Sequence, residues 1–190
     1  MSRTTRTAVA NTVERAVRWG IVAVFGEGLR RRNPGAAVNA VGALAATFLP
    51  DAVERGYGVA FRPWQRVYTA VAMLAHAVGM LGPYDDTWWW DHVTHTLSAT
   101  LLGGVVHAAA RRHGRDPRPR VLAAIVCAGL VWELLEYVVH AVSRRLGIEP
   151  LLVQYSAADT LLDVVFDLLG ALLVLAFGDR FLRNFVPDAE

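Results

Sequence analysis

The chain has 190 residues, 54% of them hydrophobic and only 19% charged, with a mean hydropathy of +0.33; a soluble domain of this size carries about 25% charged residues. A disordered chain, a collagen, a disulfide scaffold and an ordinary solvated globule are excluded, and the single Cys127 excludes an intrachain disulfide and a cysteine-based metal site. The net charge of +2 comes from 19 arginines and no lysine, dispersed between apolar blocks, so the basic face that nucleic-acid binding needs is missing and no nucleic-acid partner is expected.

The N-terminal stretch MSRTTRTAVANTVERAVR is polar and has no apolar core before a small-residue cleavage site, so no cleavable signal peptide is expected. A bilayer core takes about 20 apolar residues per helix. The first apolar segment, 17–29, is short and carries Glu27, so a span and an interfacial or re-entrant helix both stay open. Segment 35–50 is short, uncharged and rich in Ala and Gly, which suits close packing in lipid. Segment 64–82 has Arg66 only at its edge, where it is expected to snorkel. Segments 88–110, 121–142 and 157–177 meet the length requirement without strain. The expectation is an all-α, polytopic transmembrane bundle of six spans, five if the first segment is interfacial, with short loops making one integral membrane domain.

With six spans and both termini inside, 14 of the 19 arginines lie inside and five outside, as the positive-inside rule requires. Those outside are Arg30, Arg31, Arg32, Arg144 and Arg145. Trp88, Trp89 and Trp90 stand where an aromatic belt is expected, and Cys127 reads as a small core residue.

The informative residues are the ionisable ones inside the spans. Asp91 and His95 share a helix face, Glu133, Glu136 and His140 form a stripe on the next span, and Asp159, Asp163 and Asp167 follow at spacing four on the last. His76 lies in the third segment, and His92 falls off the Asp91–His95 face. Counted from the outer end of each span by helical rise, Asp91 and Asp159 are about 3–5 Å deep. His95, Glu136, Asp163 and His76 are about 9–11 Å deep, and Glu133 and Asp167 about 13–15 Å. Antiparallel neighbours with these stripes inward would bring them to matching levels. A charged Asp costs about 2.5–3.5 kcal/mol at a helix centre, so four deep acids cost on the order of 10 kcal/mol. No arginine lies inside the last three spans to offset this.

The blocks WWWDHVTHTLSATLLGG, VWELLEYVVH and DTLLDVVFDLLGALL resemble the YjdF-like family of uncharacterised multipass inner-membrane proteins. The last block and the Asp-x-x-x-His pair are more weakly similar to VanZ-like membrane proteins. The resemblance covers about half the chain and implies a polar core at Asp91, His95, Glu133, Glu136, Asp159, Asp163 and Asp167. Thr94 stands where the family has a glycine before the histidine. It also implies a prokaryotic plasma membrane, with which all-arginine usage agrees, and it brings no established reaction.

Structural readings stand beside these. Asp91 in a first helical turn favours the macrodipole, Ser156 and Asp159 resemble a capping box, and Gly103, Gly104 and Gly170 read as packing positions. His107 and His113 read as structural. Glu133, Glu136, Asp163 and Asp167 have no capping explanation. Oxygen ligands with an imidazole suit Mg²⁺, Mn²⁺, Zn²⁺ or iron. The leading reading is a metal-dependent membrane enzyme acting on a lipid, prenyl or lipid-linked phosphate at the extracytoplasmic side. His95, Glu136, Asp163 and Asp167 would hold the cation, and Glu133 or Asp91 would serve as general base. Asp159, Arg144 and Arg145 would bind substrate. A proton- or cation-coupled transporter and a non-catalytic membrane subunit are the alternatives, and the oligomeric state stays open.

Overall fold

The computed structural model describes residues 3–148 and 150–186. The side chains of Arg3 and Arg6, both counted on the inner side above, lie outside the described residues. The described regular structure is helical throughout, as expected: α1 (Arg3–Arg30), α2 (Pro34–Ala46), α3 (Leu49–Tyr57), α4 (Pro63–Gly79), α5 (Pro83–Asp86), α6 (Trp90–Arg112), α7 (Pro117–Leu146) and α8 (Ala157–Phe181). A 3-10 turn, Arg183–Phe185, ends it.

Sequence punctuation explains the boundaries. Pro34, Pro63 and Pro117 open helices, where the missing N–H has no intrahelical partner to lose. Asn33 and Asp116 cap the first and last of these through their side chains. Gly147 closes α7 in the left-handed conformation, φ 66°.

Three stretches, Pro34–Tyr57, Pro117–Leu146 and Ala157–Phe181, are long and apolar enough to cross a membrane. They coincide with three of the six expected spans. α4, at 17 residues, and α6, with its three histidines and charged ends, are less clear by length and composition. The first segment is not a short helix at 17–29 but part of a 28-residue one, because the polar stretch before it is also helical. Glu27 is answered locally, accepting from Arg30 and Arg31 at 2.6 Å each.

The chain divides into two compact units, Met1–Thr87 and Trp88–Glu190. In the first, α1, α2 and α4 pack around Val17, Ile21, Val24, Ala40, Ala43, Ala70 and Ala77. Arg66 is held in an ion-pair network. Its Nε donates to Glu14 at 2.9 Å and its Nη1 to Glu54 at 3.1 Å, and it also binds Asp51. Arg18 joins this network through Glu14 and through Thr47 Oγ1 at 3.1 Å. Three carboxylates from α1 and α3 thus share Arg66. His76 belongs to this unit and pairs with Tyr84 Oη at 2.9 Å.

In the second unit α6, α7 and α8 pack against one another, meeting the expectation of adjacent helices. Its polar and small residues are inside and its leucines outside. Asp163 is 2% exposed, whereas Val131 on α7 and Leu161 on α8 are 66% and 65% exposed. That inversion is what a lipid solvent favours, since burial of apolar groups against each other gains nothing there. The buried stripe of α7 runs Pro117, Val121, Ile125, Gly129, Glu133. Cys127 is exposed rather than in the core, because it lies roughly 200° around the helix from Ile125 at 100° per residue. Close approach of α6 and α8 depends on Gly170, where a Cβ would stand 2.6 Å from Ala99 Cβ and 2.8 Å from Thr96 O.

Candidate metal centre

The second unit gathers its acids and imidazoles where the N-terminal half of α6 faces α8. His95 is the hub. Its Nδ1 lies 3.2 Å from Asp167 Oδ1, and its Nε2 lies 3.7 Å from Asp91 Oδ1 and 3.9 Å from Asp163 Oδ1. With Nδ1 protonated and donating to Asp167, the Nε2 lone pair faces the other two carboxylates. One ligand atom from each of Asp91, His95 and Asp163 lies within 4.8 Å of the others. A carboxylate on the far nitrogen of a histidine fixes its tautomer and ring orientation, the usual support of a metal-ligating imidazole.

His92 was expected off this face, and the structure corrects that. It is 3% exposed, its Nδ1 lies 3.1 Å from Asp163 Oδ1, and its ring stacks on Phe166 with centroids 4.7 Å apart. The close contact allowed by Gly170 widens the buried face of α6 to include His92, His95 and Ala99 together. Thr96 locks the pair by donating to Phe166 O at 3.1 Å.

The other expected residues fall as follows. Glu133 is buried, and its Oε2 accepts from Thr160 Oγ1 at 2.6 Å. Its Oε1 is buried without a hydrogen-bond partner, which leaves a carboxylate oxygen calling for a proton, a cation or water. Glu136 is half-buried, takes a hydrogen bond from Trp132 and lies within electrostatic range of Asp91 and Glu133. Asp159 is in electrostatic range of Asp91, and its N–H donates to Ser156 Oγ at 3.0 Å, so the capping reading of this pair holds for that bond. Arg144 and Arg145 are exposed in the last turn of α7.

The depth ruler misplaced one pairing: Glu133 was level with Asp167 by count, yet it meets Thr160. The chain between α7 and α8 returns to α7, with Gln154 N donating to His140 Nδ1 at 3.1 Å. α8 therefore starts beside the later turns of α7 rather than level with its end. The residue opposite Asp167 is Gly129, where a Cβ would stand 2.6 Å from Asp167 Oδ2. Gly129 was not singled out from sequence, although it sits at spacing four from Glu133 on the same stripe. Gly129→Ala is expected to push the Asp167 carboxylate off His95, costing about 1–3 kcal/mol of stability from overpacking; thermal unfolding measures it.

An all-helical membrane protein with a buried Asp–His cluster is thus the class that the fold and site define. The chain belongs to the family described as "Predicted membrane protein (DUF2238)", whose model matches residues 14–184. This is the YjdF-like family to which the three sequence blocks pointed. No curated protein and no solved structure matches the chain.

Proposed function

We propose that the chain is a metal-dependent membrane enzyme acting on a lipid, prenyl or lipid-linked phosphate, with its centre at the α6–α8 contact. The observation that carries this reading is the two-sided environment of His95, with Asp167 on Nδ1 and Asp91 and Asp163 before Nε2. Asp91, His95 and Asp163 would hold a divalent cation of the Mg²⁺, Mn²⁺, Zn²⁺ or iron type. Bound there, it would supply Lewis-acid stabilisation of charge on a phosphoryl oxygen.

The geometry favours a division of labour among the remaining acids. Asp167 orients His95, although its residue type also suits direct ligation. Glu133, with one oxygen held by Thr160 and the other unpartnered, is the better general base. Glu136, in electrostatic range of Asp91 and His95, would add charge for the cation. Asp159, Arg144 and Arg145 would meet the phosphate. The arginine distribution supports both termini inside a prokaryotic plasma membrane, with the cluster toward the outer side. An apolar layer of Ala99, Ile125, Ala171 and Val174 lies beyond the cluster, which supports catalysis over a transport path through the unit.

Elemental analysis of the purified protein is expected to find one tightly bound divalent cation per chain. Saturation at 100 times Kd would stabilise the fold by about 2.7 kcal/mol, read as a drop in Tm on chelation. Metal-free protein whose Tm is indifferent to both chelator and added cation would overturn the proposal. Asp167→Asn is expected to weaken cation binding by about 10- to 100-fold, as loss of an orienting partner does; calorimetric titration measures it.

A further inference from the structure

The sequence RRHGRDPRPR, residues 111–120, turns the chain from α6 into α7. On α6, His107 stands about 24 Å along the axis from Asp91, so this turn lies at the far end of the unit from the acid cluster. The turn borders a cavity of about 420 Å³ lined by His107, Arg111, Arg115, Asp116, Arg118 and Asp179, among others. Such a volume falls in the range of small-ligand sites.

The charges around the cavity are unequally engaged. Arg111 is taken by Asp179, to which its Nε donates at 2.8 Å. The Asp116 carboxylate caps α7 by accepting from Arg118 N at 3.0 Å. The guanidinium groups of Arg115 and Arg118 have no partner among the described residues. The N-terminus of the 30-residue helix α7 adds its positive dipole end.

The inner wall carries the more telling group. His107 is 1% exposed, with Nε2 at 3.4 Å from Asp179 Oδ1, and its Nδ1 is buried with no hydrogen-bond partner. A buried ring nitrogen left without a partner costs about 1–3 kcal/mol. With the Nε2 proton directed at Asp179, Nδ1 is left as an acceptor, so a ligand hydroxyl entering the cavity would relieve that cost while its phosphate met the two guanidiniums.

We infer that this cavity is an anion site that binds a phosphate group through Arg115 and Arg118, with a hydroxyl of the same ligand donating to His107 Nδ1. The phosphate belongs either to an anionic lipid head group or to a small soluble phosphate ester, since both offer the same oxygens to the same donors. Guanidinium forks match phosphate geometry, and basic pockets beside membrane helices suit such head groups. This site is independent of the metal centre and of the reaction proposed there.

The test uses the full chain in uncharged detergent micelles, with binding followed by isothermal titration calorimetry. Dioleoyl phosphatidylglycerol, dioleoyl phosphatidylcholine and glycerol 3-phosphate are titrated separately. Saturable binding of the anionic lipid, at least about 10-fold tighter than of the zwitterionic one, identifies a lipid head group. Saturable binding of glycerol 3-phosphate identifies a soluble phosphate. The absence of both responses would overturn the inference.

Arg115→Gln with Arg118→Gln is expected to weaken the response roughly 30-fold, on the scale of one arginine near an anionic surface taken twice. Arg112→Gln with Arg120→Gln removes two charges from the same turn. Those arginines donate to Phe185 O and Asp116 O, and neither lines the cavity, so that variant is expected to bind as the parent does. Equal loss in both double variants, or none in the first, would overturn the inference. His107→Phe, which removes the Nδ1 acceptor, is expected to weaken binding of both hydroxyl-bearing ligands.

Discussion

Asp163→Ala is expected to lower divalent-cation affinity by at least about 100-fold, more than loss of an orienting partner costs. The carboxylate has two roles. Its Oδ1 faces His95 Nε2 at 3.9 Å, and the same oxygen accepts from His92 Nδ1 at 3.1 Å. Removing it therefore takes away a ligand and strands His92, which is 3% exposed. The stranded imidazole adds about 1–3 kcal/mol of destabilisation that owes nothing to metal. Asp163→Asn separates the two effects, because the amide oxygen keeps an acceptor for His92 while the ligand charge is gone. Weak cation binding with near-parental stability in the absence of cation is the expected result for the asparagine variant. Unchanged cation affinity in both variants would remove Asp163 from the site. Affinity should also fall as pH is lowered, since imidazole and carboxylate ligands bind only without their protons.

Arg66→Ala is expected to cost about 3–5 kcal/mol, the usual penalty for breaking a buried ionic group by removing one partner. Arg66 is the shared cation of Glu14, Asp51 and Glu54, and Glu14 is only 4% exposed. Arg18 would remain, but it reaches Glu14 at 3.4 Å and Asp51 at 3.6 Å and leaves Glu54 without a cation. Three acids would then share the single cation Arg18, and Glu14, at 4% exposure, has the least water to compensate. For a chain of this length the loss corresponds to a fall in Tm on the order of 10 °C. Arg66→Lys should recover only part of it, because one ammonium cannot fork toward three carboxylates. Glu14→Gln in the Arg66→Ala background should recover more, by removing the acid with least access to water. An unchanged Tm in Arg66→Ala would show that the network carries no stability. The metal centre, in the other unit, provides a separate readout.

Much of the cluster was legible because lipid makes acidic side chains conspicuous. Asp163 and Asp167 sit one helical turn apart in an apolar run with no arginine near, and Asp91 and His95 repeat that spacing. Helical periodicity then places each pair on one face. Other partners were not legible. His92 and Gly129 have nothing unusual in their local sequence, and their roles arise from what stands opposite them.

The sequence by itself determined that the chain is all-helical, that it suits a membrane, and which acids and imidazoles lie on shared faces. Hydropathy, proline and glycine punctuation and a 3.6-residue period are local quantities, carried by residues a few positions apart. Tertiary structure alone decided which nitrogen of His95 meets which carboxylate, that Glu133 meets Thr160, that Arg66 meets Glu14, and that His107 borders a basic cavity. Those depend on the axial offset of one helix against the next. Here that offset is set by the returning chain between α7 and α8 and by the close approach at Gly170. Neither leaves a periodic mark in the sequence, because each is a relation between elements far apart along the chain.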